Sequence, residues 1–308
     1  MLQNCVLVGG VNIRFEGELQ DGFLQGFQHT FSRRYLPEPI LNEGCLSGYN
    51  SIVERYRGIE FKVLESKYDV DGVLDYFKVV SDIPQPYLNE SPVFFLLQVA
   101  ARGGAKIGRF FLTDSVAVVD SNGEAILFLG YPHTGKSTIA LMAYSKGFEV
   151  LSTENTVVEL REGKLHVVGG TKVLVYDPWV ARVYNIKETF SEETKHGYRV
   201  VDLAKATSKA VDAEVRSIAV LHSAVGCGNA SLVPVKGRKI TKILWYFTTA
   251  LIKGVDFYEP NPLDMPFSTN IEANLRTFLS YIVKNYEGKI FEVFGNHNSI
   301  FNEFFFKK

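Results

Sequence analysis

Gly130, Gly135, Lys136 and Ser137 stand in the spacing G-x-x-x-x-G-K-[ST]. Residue types in that order point to a loop that binds polyphosphate. The glycines let the backbone fold back with its N–H groups turned inward, the lysine reaches the β- and γ-phosphates, and the serine hydroxyl holds Mg²⁺. Gly130, His133, Thr134, Gly135, Lys136, Ser137 and Thr138 are therefore the candidate nucleotide-binding residues, with Lys136 also the candidate catalytic cation and Ser137 a metal ligand. A second chemistry-bearing residue is Glu154, shortly after the apolar run 148–151. A carboxylate at the end of a strand beside such a loop is where Mg²⁺ or an attacking hydroxyl needs one, although a solvated turn residue reads the same way. Asp177 also ends an apolar run, but Pro178 and Trp179 behind it give it the simpler part of a helix cap.

These residues need a strand before the loop and a helix after it. Ala125–Leu129 reads as a short buried strand, and 137–146 as a helix with Ile139, Ala140 and Ala143 on one face, its positive end aimed at the same anion. Upstream, 109–119 alternates or runs apolar and Asp120-Ser-Asn-Gly123 makes a hairpin turn, so the loop strand has an antiparallel partner just before it. Downstream, strands are expected over 148–151, 156–160, 165–168, 173–176, 218–221, 232–235 and 289–294, and helices over 239–252 and 271–286. The polar run 185–199 reads as a solvated loop or as a lid over the phosphate site. A Pro-rich turn falls at Glu259-Pro-Asn-Pro262. The tail 301–306 is too apolar for solvent and is expected to pack on the core, with a subunit contact as the alternative.

Before the loop region, strands are expected over 6–15, 59–64 and 73–80. Ser91 and Pro92 open a helix that runs to Gly103-Gly104, and a domain boundary is expected near residue 105. His29, His222 and His297 have no second ligand at metal spacing and read as structural.

The 308 residues suffice for two domains, and 46% hydrophobic with 22% charged residues excludes a disordered or fibrous chain. A net charge of −1 gives no electrostatic drive toward nucleic acid or an anionic membrane, so neither is expected as a partner. With no run of 18 apolar residues and no basic n-region, a soluble cytoplasmic protein is expected. Cys5, Cys45 and Cys227 stand far apart and read as buried thiols in a reducing compartment.

With hairpin, loop, helix and acidic strand end together, the run 111–158 resembles the HPr kinase/phosphorylase group of P-loop kinases, related in fold to phosphoenolpyruvate carboxykinase. Lys146-Gly147 matches the family's basic residue and glycine at the helix end, and Thr153 stands 16 positions after Ser137, the family's spacing to its first aspartate. The resemblance implies an α/β fold: a mixed-sheet P-loop kinase domain of the HPr kinase/phosphoenolpyruvate carboxykinase type over 106–308. A smaller N-terminal α+β domain over 1–105 would bind acceptor or partner. It also implies ATP and Mg²⁺ as cofactors, Ser137 and Glu154 as metal ligands, and a hydroxyl-bearing acceptor that is a protein, a peptide or a small molecule. Relatives in that family are often oligomers, so a homo-oligomer is expected.

Three departures from the family pattern bear on chemistry. The family carries two adjacent aspartates, one as base and one at the metal, where this chain has Thr153 and Glu154. A threonine takes no proton at neutral pH, so the base position is vacant, and Glu154 either holds Mg²⁺ or assists the acceptor. The family's histidine on the preceding strand falls near Thr113. Asp114 beside it either brings in a carboxylate as a catalytic residue or serves at a turn or edge. His133 stands where a glycine is common, and histidine tolerates positive φ better than most residues. Two functions follow: an ATP-dependent phosphotransferase acting on a hydroxyl, or a nucleotide-binding module that orders a partner-binding surface without turnover. Metal-assisted decarboxylation needs a Lys/His/Asp set around a second metal, which the sequence does not assemble.

Overall fold

The computed structural model describes residues 4–42, 45, 48–187, 189–204, 212–226, 228–254 and 263–307. Cys227 and the turn expected at 259–262 lie outside them. The chain is mixed α/β with several sheets. It divides into two compact units, one of residues 1–111 with Thr248–Arg276 and one of Leu112–Phe247 with Thr277–Lys308.

The first unit holds β1 (Asn4–Val8), β2 (Val11–Gly17), α1 (Thr30–Tyr35), β3 (Ile40–Asn42), β4 (Ser51–Arg57), β5 (Lys62–Val70), β6 (Leu74–Ser81) and α2 (Ser91–Lys106). Its strands form one sheet in the order β3-β1-β2-β4-β6-β5. The single strand expected over 6–15 is a hairpin, because Gly9 and Gly10 both take positive φ, 54° and 80°, and turn the chain between β1 and β2. α2 runs on through Gly103 and Gly104 to Lys106, since a Cβ at Gly104 would press on Phe111 and the Arg109 carbonyl: these glycines serve close packing, not a helix stop. Arg102 on α2 is fully buried and bridges Asp75 at 3.0 Å and Asp69 at 2.7 Å, its guanidinium 4.9 Å from the centre of the Tyr68 ring. Lys106 reaches the same two carboxylates at 2.7 and 2.9 Å.

Two of the three cysteines are not isolated thiols. Cys5 and Cys45 form a disulfide with Cα atoms 5.4 Å apart across 40 residues of sequence. The cause is sheet pairing: Cys5 sits opposite Asn42 in the β1–β3 ladder, so the chain just past β3 returns to it. Short-range spacing carries no sign of that pairing, and the cysteines no longer argue for a reducing compartment. No helix of the described residues is long and apolar enough to cross a membrane.

After β7 (Arg109–Leu112), the second unit contains β8 (Ser115–Val119), β9 (Ala125–Leu129), α3 (Lys136–Ser145), β10 (Val150–Ser152), β11 (Thr156–Arg161), β12 (Lys164–Gly170) and β13 (Val173–Tyr176). Then come α4 (Pro178–Val183), β14 (Glu192–Glu193), β15 (Arg199–Asp202), β16 (Ala213–Ser223), β17 (Ser231–Pro234), β18 (Ile290–Gly295) and α7 (His297–Phe305), while α5 (Arg238–Lys253) and α6 (Thr269–Asn285) each have residues in both units. The hairpin β8–β9 closes at Asp120, whose carboxylate accepts the N–H groups of Asn122 and Glu124 while Gly123 takes φ 82°. β10 pairs antiparallel with β8, so it runs with β9 and the helix α3 crosses over between them. On its other edge β9 pairs parallel with β16, and β16 pairs parallel with β18. The carboxyl ends of β9, β16 and β18 thus point the same way, the edge at which α/β sheets gather ligands.

Apolar side chains from both sides fix this layer. Ile139, Ala140 and Ala143 of α3 pack with Val116, Ile126 and Phe128 of the hairpin and with Ile300, Phe301 and Phe304 of α7. The apolar tail is therefore a core helix, capped by Asn296, whose side chain accepts the Ser299 N–H at 2.8 Å. Asp177 caps α4 by accepting the Trp179 N–H at 2.8 Å. The polar run 185–199 contains a strand pair, β14 against β15, closed by a turn in which Gly197 takes φ 82°. Its charged residues mask strand character: β14 is exposed, whereas Val200 and Val201 of β15 are buried and β15 pairs with β13 on its other edge.

Candidate functional site

Between β9 and α3 the chain makes the tight turn that the glycine spacing requires. A Cβ on Gly130 would collide with the Thr134 hydroxyl, which itself donates to the Tyr131 carbonyl at 2.7 Å. His133 adopts φ 64° and is exposed, and Gly135 takes φ 94° immediately before α3. Ser137 and Thr138 lie in the first turn of α3. The first N–H groups of a helix have no intrahelical acceptor, so this end is a natural seat for an anion.

Lys136 is folded back under the loop. Its ammonium donates to the carbonyls of Gly130 at 2.6 Å and Tyr131 at 2.9 Å, and pairs with Asp114 at 2.9 Å. Both charged side chains are buried, 7% and 3% exposed, so the pair is shielded from solvent screening. Asp114 lies at φ 51°, a left-handed position that aspartate tolerates. Its carbonyl accepts the Gly130 N–H at 3.2 Å, tying the start of β8 to the start of the loop.

Glu154 is half-buried beyond β10. Its carbonyl accepts the Ser115 N–H at 2.9 Å, which brings its backbone to the residue next to Asp114, and its own N–H donates to the Thr171 hydroxyl at 2.8 Å. Thr153, by contrast, is committed to structure. Its hydroxyl donates to the Val173 carbonyl at 2.8 Å and lies 3.2 Å from that of Thr171. Asp114, the loop, Lys136 and the Glu154 backbone thus gather at one edge of the sheet, while Thr153 faces inward.

Two further residues border the loop, Ser223 and His297, and Tyr184 holds the second of them. Ser223, at the end of β16, donates its hydroxyl to the Thr134 carbonyl. A Cβ on Gly135 would collide with the Ser223 hydroxyl and with Nε2 of His297, the first residue of α7. The other ring nitrogen of His297, Nδ1, lies 2.7 Å from the Tyr184 hydroxyl, and burial pushes the imidazole pKa below its ordinary value. His297 reads as structural in sequence because no metal-ligand spacing surrounds it. The usable signal is topological: strands 218–221 and 289–294 are both legible, and residues just past parallel strands beside a phosphate loop reach that loop.

Among the described residues no group of three His, Cys, Asp or Glu side chains is arranged to hold a metal ion. No family model matches the chain, and no curated protein matches it. Among solved structures it is similar to the HPr(Ser) kinase/phosphatase from Coxiella burnetii, at 15% identity over 41% of this chain and 72% of that one, with a TM-score of 0.24. A likeness at that score carries no weight for function. The case for a site rests on the loop.

Proposed function

We propose that the chain binds ATP with Mg²⁺ at the 130–138 loop and transfers the γ-phosphoryl group to a hydroxyl of a protein, peptide or small molecule. One observation carries this reading: a buried lysine at the start of α3 holds two loop carbonyls and a single carboxylate, Asp114, 2.9 Å away. Backbone donors of 135–138 and the Lys136 ammonium fit a polyphosphate, and the Ser137 hydroxyl with the Glu154 carboxylate would hold Mg²⁺. The bound metal neutralises charge on the β- and γ-phosphates.

Lys136 exchanges a neutral carbonyl or the Asp114 carboxylate for phosphate oxygens, a change its flexible stem permits. Asp114 then stands beside the position of the transferring group and accepts the proton of the acceptor hydroxyl. It supplies the base that Thr153 cannot, since the threonine hydroxyl is bound to Val173 and carries no usable proton affinity at neutral pH. The Glu154 carboxylate would remain available to hold the metal.

The second reading, a nucleotide-binding module without turnover, draws on the same commitment of Thr153. The two part at Asp114. Incubation with γ-labelled ATP, Mg²⁺ and a serine-containing acceptor separates them: label transfer that collapses in Asp114→Asn supports the kinase. Tight Mg·ATP binding with neither transfer nor hydrolysis supports the module.

A further inference from the structure

We propose that Ser223, His297 and Tyr184 form a clamp that fixes the 134–135 peptide in the orientation an anion needs, making them positioning residues for the loop. The inference rests on the phosphate-binding reading of that loop and adds three residues from outside the motif. Left-handed glycine is the soft point of such a turn. At φ 94° Gly135 tolerates rotation of the peptide before it, and rotation would exchange the directions of the Thr134 carbonyl and the Gly135 N–H. In a trans peptide those two groups point oppositely. The Ser223 hydroxyl holds the Thr134 carbonyl on its own side, and the Gly135 N–H is therefore turned the other way.

His297 completes the clamp from below. It is buried, and its Nε2 edge fills the space where Gly135 lacks a Cβ, so the glycine Cα rests on the ring. Tyr184 fixes the ring plane through the 2.7 Å contact with Nδ1. None of the three needs to touch a ligand. Their effect is to remove a conformational choice before binding, so that less affinity is spent on ordering the loop.

The test measures Mg·ATP affinity by titration calorimetry together with hydrogen exchange of the Gly135 amide in the ligand-free protein. Wild type is compared with Ser223→Ala, His297→Leu and His297→Gln, and with Tyr184→Phe as the mildest change. Loss of one orienting hydrogen bond is expected to weaken binding about tenfold in Ser223→Ala and His297→Leu. The Gly135 amide should exchange faster in both, while His297→Gln, which keeps a polar group facing Tyr184, recovers most of the affinity. Unchanged affinity and unchanged exchange in Ser223→Ala and Tyr184→Phe would overturn the clamp. If wild type itself binds no Mg·ATP, the nucleotide reading falls, and the ligand-free exchange data still decide whether the three residues order the peptide.

Discussion

Each unit buries a cation against carboxylate, and the two arrangements differ in what could replace them. Arg102 in the first unit engages Asp75 and Asp69 with separate guanidinium nitrogens, shares both with Lys106, and lies over the Tyr68 ring. Lys136 in the second has one carboxylate partner and two carbonyls of its own loop. The arginine fork fits one planar geometry, and moving it would strand several partners at once. A lysine ammonium is a point charge on a flexible stem, so a phosphate oxygen can take the place of a carbonyl at little cost. Burial alone does not mark a functional charge. Under the proposed nucleotide reading, exchangeable partners do.

Removing the cation at each place gives the largest contrast. Lys136→Ala is expected to abolish both Mg·ATP binding and transfer, and to destabilise the second unit by about 3–5 kcal/mol because the buried Asp114 loses its cation. Calorimetric titration and urea denaturation read the two effects. Asp114→Asn should cut the transfer rate about 10²–10⁴-fold while leaving Mg·ATP affinity equal or tighter, since a competitor for Lys136 is gone. A rate that survives this change would remove Asp114 from the chemistry.

Arg102→Met should cost the first unit about 3–5 kcal/mol in denaturation and leave Mg·ATP affinity of the folded protein unchanged. A fall in affinity would break the contrast between a structural and a functional ion pair. The smallest effect concerns His297. Its folded pKa is pushed below the ordinary 6.5 by burial, so the unfolded chain binds the proton more readily. The stability it contributes is fully present above pH 6.5 and declines as pH falls from there toward the folded pKa. Melting temperatures of wild type and His297→Gln should therefore diverge less at pH 5.5 than at pH 8.

The loop, its strand and its helix are legible in the sequence because they are local: glycine spacing, a five-residue apolar run and a helical face lie within one stretch. The hairpin turn at Asp120 is legible for the same reason. Asp114 is harder, since a single aspartate before a strand reads equally as a turn residue until the Lys136 ion pair is seen. Ser223, His297 and Tyr184 are not legible from local pattern: the strands before Ser223 and His297 can be read, but no pattern in one chain says which distant strand pairs with β9. The Cys5–Cys45 disulfide escapes for the same reason, being created by the β1–β3 ladder.

The split between near and far residues also gives the site an order of assembly. Asp114, Gly130, Lys136 and Glu154 lie within 40 positions of one another, whereas Ser223 meets Thr134 across 89 positions and His297 meets Tyr184 across 113. Short chain closures form first and long ones later. The hairpin, loop and helix would thus take shape as an early nucleus with a loose glycine turn. Docking of β16 and α7 would be the late event that tightens it, so the cradle becomes competent only when the second unit has finished folding.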